Sequence, residues 1–173
     1  ELIEKALKEK KQCEVITQDT IRRIESKKNT LFKVILSSGR EIETSLLVVA
    51  VGVKPNIQVI KDTPIMHNKG IIVDEYMRTN ISETYAAGDV AEGKDMITEK
   101  YSVIAIWPVA ARQGKVAGMN MAGGNVIYDG LFPMNSIDIA GVPVISFGIT
   151  NPLKVDRYEI IKRIDDNCYK KIV

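Results

Sequence analysis

Asp89 stands where an acid needs a reason. It follows the apolar run Tyr85-Ala86-Ala87 across a single glycine, Gly88, and precedes Val90. An acid at the end of a buried strand costs free energy unless something polar receives it. The plain alternative is a turn, since glycine and aspartate both favour turn geometry. A third reading is a phosphate loop, because Gly88 to Lys94 fits G-x-x-x-x-G-K. That reading fails at Asp95, where a phosphate loop needs serine or threonine for magnesium, and two acids would fall inside a phosphate cradle.

Other reactive side chains are sparse. His67 is the only histidine, and its surroundings, Met66-His67-Asn68-Lys69-Gly70, read as an exposed polar turn. A Ser-His-Asp site and a two-histidine metal centre are therefore not expected. Cys13 and Cys168, the two cysteines, lie near opposite ends without CxxC or His/Cys ligand spacing. This argues against a disulfide framework and a structural zinc site, and fits a reducing cytoplasm.

The elements that must position Asp89 follow from periodicity. Leu2, Ile3, Ala6 and Leu7 share one face of a helix over residues 2–10. Glu14 to Thr17 reads as a short strand. Residues 23–25, 31–36 and 41–43 alternate as a small antiparallel meander, with Ser37-Ser38-Gly39 as a turn. Leu46-Leu47-Val48-Val49-Ala50 is apolar at every position, as expected of a parallel strand covered on both faces. Gly52 and Lys54-Pro55-Asn56 then break the chain.

Ile57 to Ile60 forms a connector, and residues 71–73 and 84–87 read as strands. From Trp107 to Ala122 the pattern is helical, with Pro108 suited to the first turn, where its missing N–H is no loss. Ala110, Gly114, Gly118 and Ala122 form a row of small residues along one face. Each helical glycine costs about 1 kcal/mol, so the row implies a close neighbour, either packing or a ligand. Gly123-Gly124 ends the helix. Beyond residue 126 the strand-like residues Ile137, Ile139, Val144 and Phe147 open a second, β-rich unit. Both ends of the chain read as cut, and we take it as part of a longer protein.

Composition sets the outer limits. The 173 residues are 45% hydrophobic and 27% charged, the balance of an ordinary globular chain. Basic residues outnumber acidic ones by only 24 to 22 and form no basic arm, so nucleic acid is not an expected partner. The apolar stretches 46–53 and 103–111 fall far short of the ~20 residues a membrane span requires.

Two stretches carry a resemblance. Residues 43–56, an apolar strand running into Ala50-Val51-Gly52-Val53-Lys54-Pro55-Asn56, resemble the strand and Ala-x-Gly-x-x-Pro-Asn segment of flavoprotein pyridine nucleotide-disulfide oxidoreductases. Residues 79–90, ending Ala86-Ala87-Gly88-Asp89-Val90, resemble that family's second FAD motif, and Trp107-Pro108-x-Ala110-x-Arg112-Gln113-Gly114 its flavin-facing helix. Within the family the chain is most similar to the NADH oxidase, rubredoxin reductase and nitrite reductase large-subunit branch.

The resemblance implies an α/β fold: partial FAD- and NAD(P)-binding doubly wound, Rossmann-like domains with a β meander, followed by the start of a β-rich C-terminal domain. Residues 1–55 correspond to the closing part of the NAD(P) domain, 56–125 to that of the FAD domain, and 126–173 to the start of a dimerisation-like domain. It implies that Gly88, Asp89 and Val90, with Trp107, Pro108, Val109 and Ala110, contact FAD. Asp89 would accept hydrogen bonds from the ribityl chain, and the helix start would face the flavin's pyrimidine edge, where negative charge collects on reduction. Gly52 would lie against NAD(P)H.

The implied activity is hydride transfer from NAD(P)H to FAD, with electrons passing to a small acceptor protein, a nitrite-reducing centre or oxygen. The implied protein is a cytoplasmic homo-oligomer. No G-x-G occurs anywhere in the sequence, so each cofactor site is only half present. The chain alone is expected to be inactive. The competing reading is a non-catalytic binding or dimerisation module of α/β class.

Overall fold

A computed structural model describes residues 2–11, 13–26, 31–152, 158–165 and 168–173. The chain divides into two compact units, Glu1–Val53 and Lys54–Val173.

In the first unit helix α1 spans Leu2–Lys11, and β1 (Ile21–Ser26), β2 (Phe32–Leu36) and β3 (Glu41–Thr44) form the expected antiparallel meander in chain order. Ile24 pairs with Val34, which in turn pairs with Ile42. Alternation puts Val34 and Leu36 on the same buried face. Gly39 closes the β2–β3 turn in the left-handed region, at φ +89°.

Two expected strands do not form here. Residues 14–17 run outside any ladder, and side chains tie the neighbouring segment down instead. Arg40 donates from both terminal nitrogens to the two Glu14 carboxylate oxygens at 2.6 Å, and this bond holds the Glu14 carboxyl below its usual range. Ser38 donates its hydroxyl to Asp19 at 2.6 Å. Leu46 to Ala50 is likewise unpaired, and Val48 and Val51 are 75% and 90% exposed. A parallel strand needs neighbours along its edges and cover on both faces. None of the described residues supplies either.

In the second unit a short parallel pair, β4 (Ile71–Ile72) and β5 (Ala91–Lys94), is extended by antiparallel β6 (Tyr101–Ser102). Helix α2 spans Trp107–Met121, within one residue of the expected span, and Gly123 turns the chain away at φ +86°. Two hairpins follow: β7 (Met134–Ile139) with β8 (Val142–Phe147), and β9 (Ile161–Asp165) with β10 (Cys168–Ile172).

The core of this unit gathers Ile60, Ile71, Val73, Met77, Ala91, Val116 and Tyr128. The crossover from β4 to β5 is pinned by Asp74, whose carboxylate accepts the N–H groups of Tyr76 and Arg78 at 2.9 and 2.8 Å. That bend carries Met77 into the core with no exposure at all. His67 is exposed in the turn before β4, as its polar neighbours predict.

Candidate functional site

The Gly88-Asp89-Val90 segment is a 3₁₀ turn, not the end of a strand. The expected strand at 84–87 is reduced to one bridge, between Tyr85 and Arg78, plus a bond from the Ala86 N–H to the Met77 carbonyl at 3.2 Å. Asp89 therefore leads into strand β5 instead of closing a strand of its own. Residues 91–94, read above as a failed phosphate loop, are that strand.

Gly88 adopts φ +80°, a conformation that side-chain-bearing residues rarely take. A Cβ there would also lie 3.5 Å from the Ala110 Cβ, so the turn abuts the first turn of α2. That helix begins without a side-chain cap: its N-cap is Ile106, and Pro108 offers no N–H. The amides of Trp107 and Val109 are thus among the helix-terminal donors that have no intrahelical acceptor. Asp89 is exposed, and its carboxylate has no hydrogen bond or ion pair among the described residues. A free anion acceptor and an uncapped, partly positive helix end both border the Gly88 turn.

The predicted site residues fall into distinct roles. Gly88, Asp89, Val90 and the start of α2 come together in the second unit; Gly52, at φ +96°, belongs to the first. Val109 is 1% exposed, so only its backbone can address a ligand. Trp107 is 81% exposed and packs on nothing in the second unit's core. The two glycines of the small-residue row on α2 face open space: among the described residues, a Cβ at Gly114 or Gly118 would meet nothing within 4 Å. None of the described residues comes close enough to require glycine there. Gly118→Ala should accordingly stabilise the chain by about 1 kcal/mol in urea or thermal unfolding.

The polar side chains that hold the Gly88 turn and the end of α2, whose roles the sequence did not reveal, lie on the opposite face of the helix. Val109, Gln113, Val116, Ala117 and Asn120 are its buried residues, at the three- and four-residue spacing of an amphipathic helix. Two of these five are polar. Gln113 accepts the Gly88 N–H on its side-chain oxygen at 2.8 Å. The Asn120 carboxamide donates to the Tyr76 and Val126 carbonyls at 2.9 and 2.8 Å, and accepts the Val126 N–H at 2.7 Å. The two polar breaks in this apolar stripe were the signal that could have revealed them.

Beside them lies Tyr128, 1% exposed, whose hydroxyl has no hydrogen-bond partner among the described residues. Burial pushes its phenol above the usual tyrosine range. Gln113 and the Leu131 backbone oppose that shift without completing a hydrogen bond.

A parallel β-pair joined by a crossover, and a glycine turn set against a helix start, define the second unit as α/β. Comparison with known proteins gives that class a family. Residues 1–114 match the pyridine nucleotide-disulphide oxidoreductase family, and the chain belongs to it. It is 39% identical to NADH-rubredoxin oxidoreductase of Clostridium acetobutylicum over 112 residues, 64% of this chain and 27% of that protein. It is 36% identical to the NAD(P)H nitrite reductase of Bacillus subtilis over 138 residues, 78% of this chain and 16% of the relative.

Among solved structures, an NAD-dependent persulfide reductase from A. fulgidus superposes with a TM-score of 0.80 at 30% identity, covering 86% of this chain and 28% of that one. The FAD/NAD-binding, Rossmann-like α/β class expected from the sequence is thus the class of its structural neighbours. The chain spans about a third or less of the length of these relatives. No described helix is long and apolar enough to cross a membrane, and no described group of three or more His, Cys, Asp or Glu is placed to hold a metal ion.

Proposed function

We propose that this chain is the part of an FAD-dependent NAD(P)H oxidoreductase that supplies one wall of the flavin site. The observation that carries the reading is the free Asp89 carboxylate in a glycine turn set against an uncapped helix start. Asp89 would accept hydrogen bonds from the hydroxyls of the FAD ribityl chain. The Trp107 and Val109 amides would point donors and the positive end of the helix at the flavin's pyrimidine edge. Pro108 and Ala110 shape that first turn without occupying it. Gly88 and Val90 hold the acid in place, and Gly52 would let the backbone approach NAD(P)H.

When bound, the flavin takes a hydride from NAD(P)H and passes electrons on; the protein's share is placement and electrostatics. On this reading residues 1–55 complete an NAD(P) domain, 56–125 an FAD domain, and 126–173 begin a dimerisation domain of a cytoplasmic homo-oligomer. The electron acceptor is a small redox protein or a small molecule, in keeping with relatives named for rubredoxin and nitrite. The exposed Leu46–Ala50 stretch supports the same reading, because its apolar surface suits a strand covered by the rest of a larger α/β domain.

The test is anaerobic addition of NADH to a purified protein carrying this segment at the full length of its relatives. Bleaching of a bound flavin band supports the proposal. A protein that binds no flavin at all sets it aside in favour of a non-catalytic binding or dimerisation module.

A further inference from the structure

Ala87 and Val90 pack against the core, but few hydrogen bonds hold the Gly88–Val90 turn itself. Its N-cap, Ala87, offers no side-chain cap, and the segment before it lies in no sheet. Apart from the turn's own bond, from the Ala91 N–H to the Gly88 carbonyl, the contact fixing its entrance comes from α2. There the Gln113 side-chain oxygen accepts the Gly88 N–H at 2.8 Å, and Gln113 is 2% exposed.

The other end of the same carboxamide is boxed in. A Cβ on Gly93 would fall 2.6 Å from the Gln113 Nε2 and 3.3 Å from the edge of the Tyr128 ring. The bare Cα of Gly93 in β5 therefore leaves the space that the carboxamide fills. A buried amide has few rotamers once both of its ends are confined, so the direction of its oxygen is set by strand and helix together.

We propose that Gln113 is a positioning residue for the cofactor carboxylate: its side chain, clamped by Gly93 and Tyr128, fixes the Gly88 turn and so aims Asp89. This deepens the flavin reading above and rests on it for the ligand, though not for the geometry. Gln113 touches no reacting atom. It acts through Gly88, and its loss is felt one residue away, at Asp89.

The experiment follows the Gly88 amide of this chain by NMR hydrogen exchange, and FAD affinity in the longer protein, across three variants. Gln113→Met keeps an unbranched side chain of similar length but removes the acceptor. Gly93→Ala leaves Gln113 intact and displaces it from the far side. Tyr128→Phe keeps the ring wall and removes only an unpartnered hydroxyl. The first two should speed Gly88 exchange on the order of tenfold, the scale of one lost hydrogen bond, while the Val116 and Ala117 amides keep their protection. FAD binding should weaken in step, and Tyr128→Phe should change neither readout.

A residue that merely packs would loosen the whole helix, so a uniform loss of protection along α2 overturns the proposal. So does unchanged Gly88 exchange in Gln113→Met. If Gly88 exchange responds as stated but FAD affinity stays level, the clamp stands and its role at the flavin is refuted. Should one of the first two variants fail to fold, the other still decides the matter.

Discussion

Gly70→Ala should destabilise the second unit by about 2–3 kcal/mol, the cost of forcing an extra methyl into a packed site. The glycine is buried just before β4, and a Cβ built there lies 2.5 Å from the Val90 carbonyl oxygen and 2.8 Å from a Val103 methyl. Val103 can rotate aside, whereas the Val90 carbonyl is backbone at the end of the Gly88–Val90 turn. The Gly70 N–H is also committed, to the buried Glu92 carboxylate at 2.9 Å. Any shift of the chain that relieves the clash strains this bond and leaves a buried charge less well solvated. Urea unfolding of the variant measures the loss. Full retention of stability would show that the close approach of residues 70 and 90 is not held in solution.

Asn120→Ala should cost more, about 3 kcal/mol, by leaving several partly buried groups unpaired at once. One carboxamide closes three hydrogen bonds, to Tyr76 and twice to Val126, and so joins the end of α2 to the β4–β5 crossover and to the segment after the helix. Alanine favours helix, so propensity alone predicts a gain of a few tenths of a kcal/mol. The sign of the result therefore separates the two effects. An Asn120→Asp variant keeps the bond from the Val126 N–H but sets a buried carboxylate oxygen against the Tyr76 and Val126 carbonyls, and should be at least as destabilised as alanine. Thermal unfolding of the pair reads the order directly.

What the sequence made legible was local order. The β1–β3 meander, helix α2 with Pro108 at its start and Gly123 at its end, and the ordered motifs around Gly52 and Asp89 could all be read from neighbouring residues. What it did not reveal was pairing. Leu46 to Ala50 and Tyr85 to Ala87 have strand composition, yet a strand exists only when another backbone supplies its ladder, and composition cannot say which residues will do so.

Helix α2 misled in another way. Its glycine row, Gly114 and Gly118, lies on a face that is open among the described residues, while the hydrogen bonds made by Asn120 and by Gln113, part of the motif that resembles the flavin-facing helix, follow only from the fold. Polar side chains in an otherwise apolar helical stripe carry their meaning only once their partners, Gly88 and Val126, are located by the fold. The burial of Tyr128 against Gln113 and Gly93 likewise depends on residues far apart in the chain.

The central claim is that the Gly88-Asp89 turn beside the α2 start holds FAD. The most direct test compares FAD titrations of wild type and Asp89→Ala, in a protein carrying this segment at the length of its relatives, by the visible spectrum of the bound flavin. If the turn holds FAD, the substitution weakens binding on the order of tenfold to a hundredfold, as lost hydrogen bonds to a charged group imply, with the fold intact by circular dichroism. An Asp89→Ala protein that binds FAD as tightly as wild type would contradict the claim.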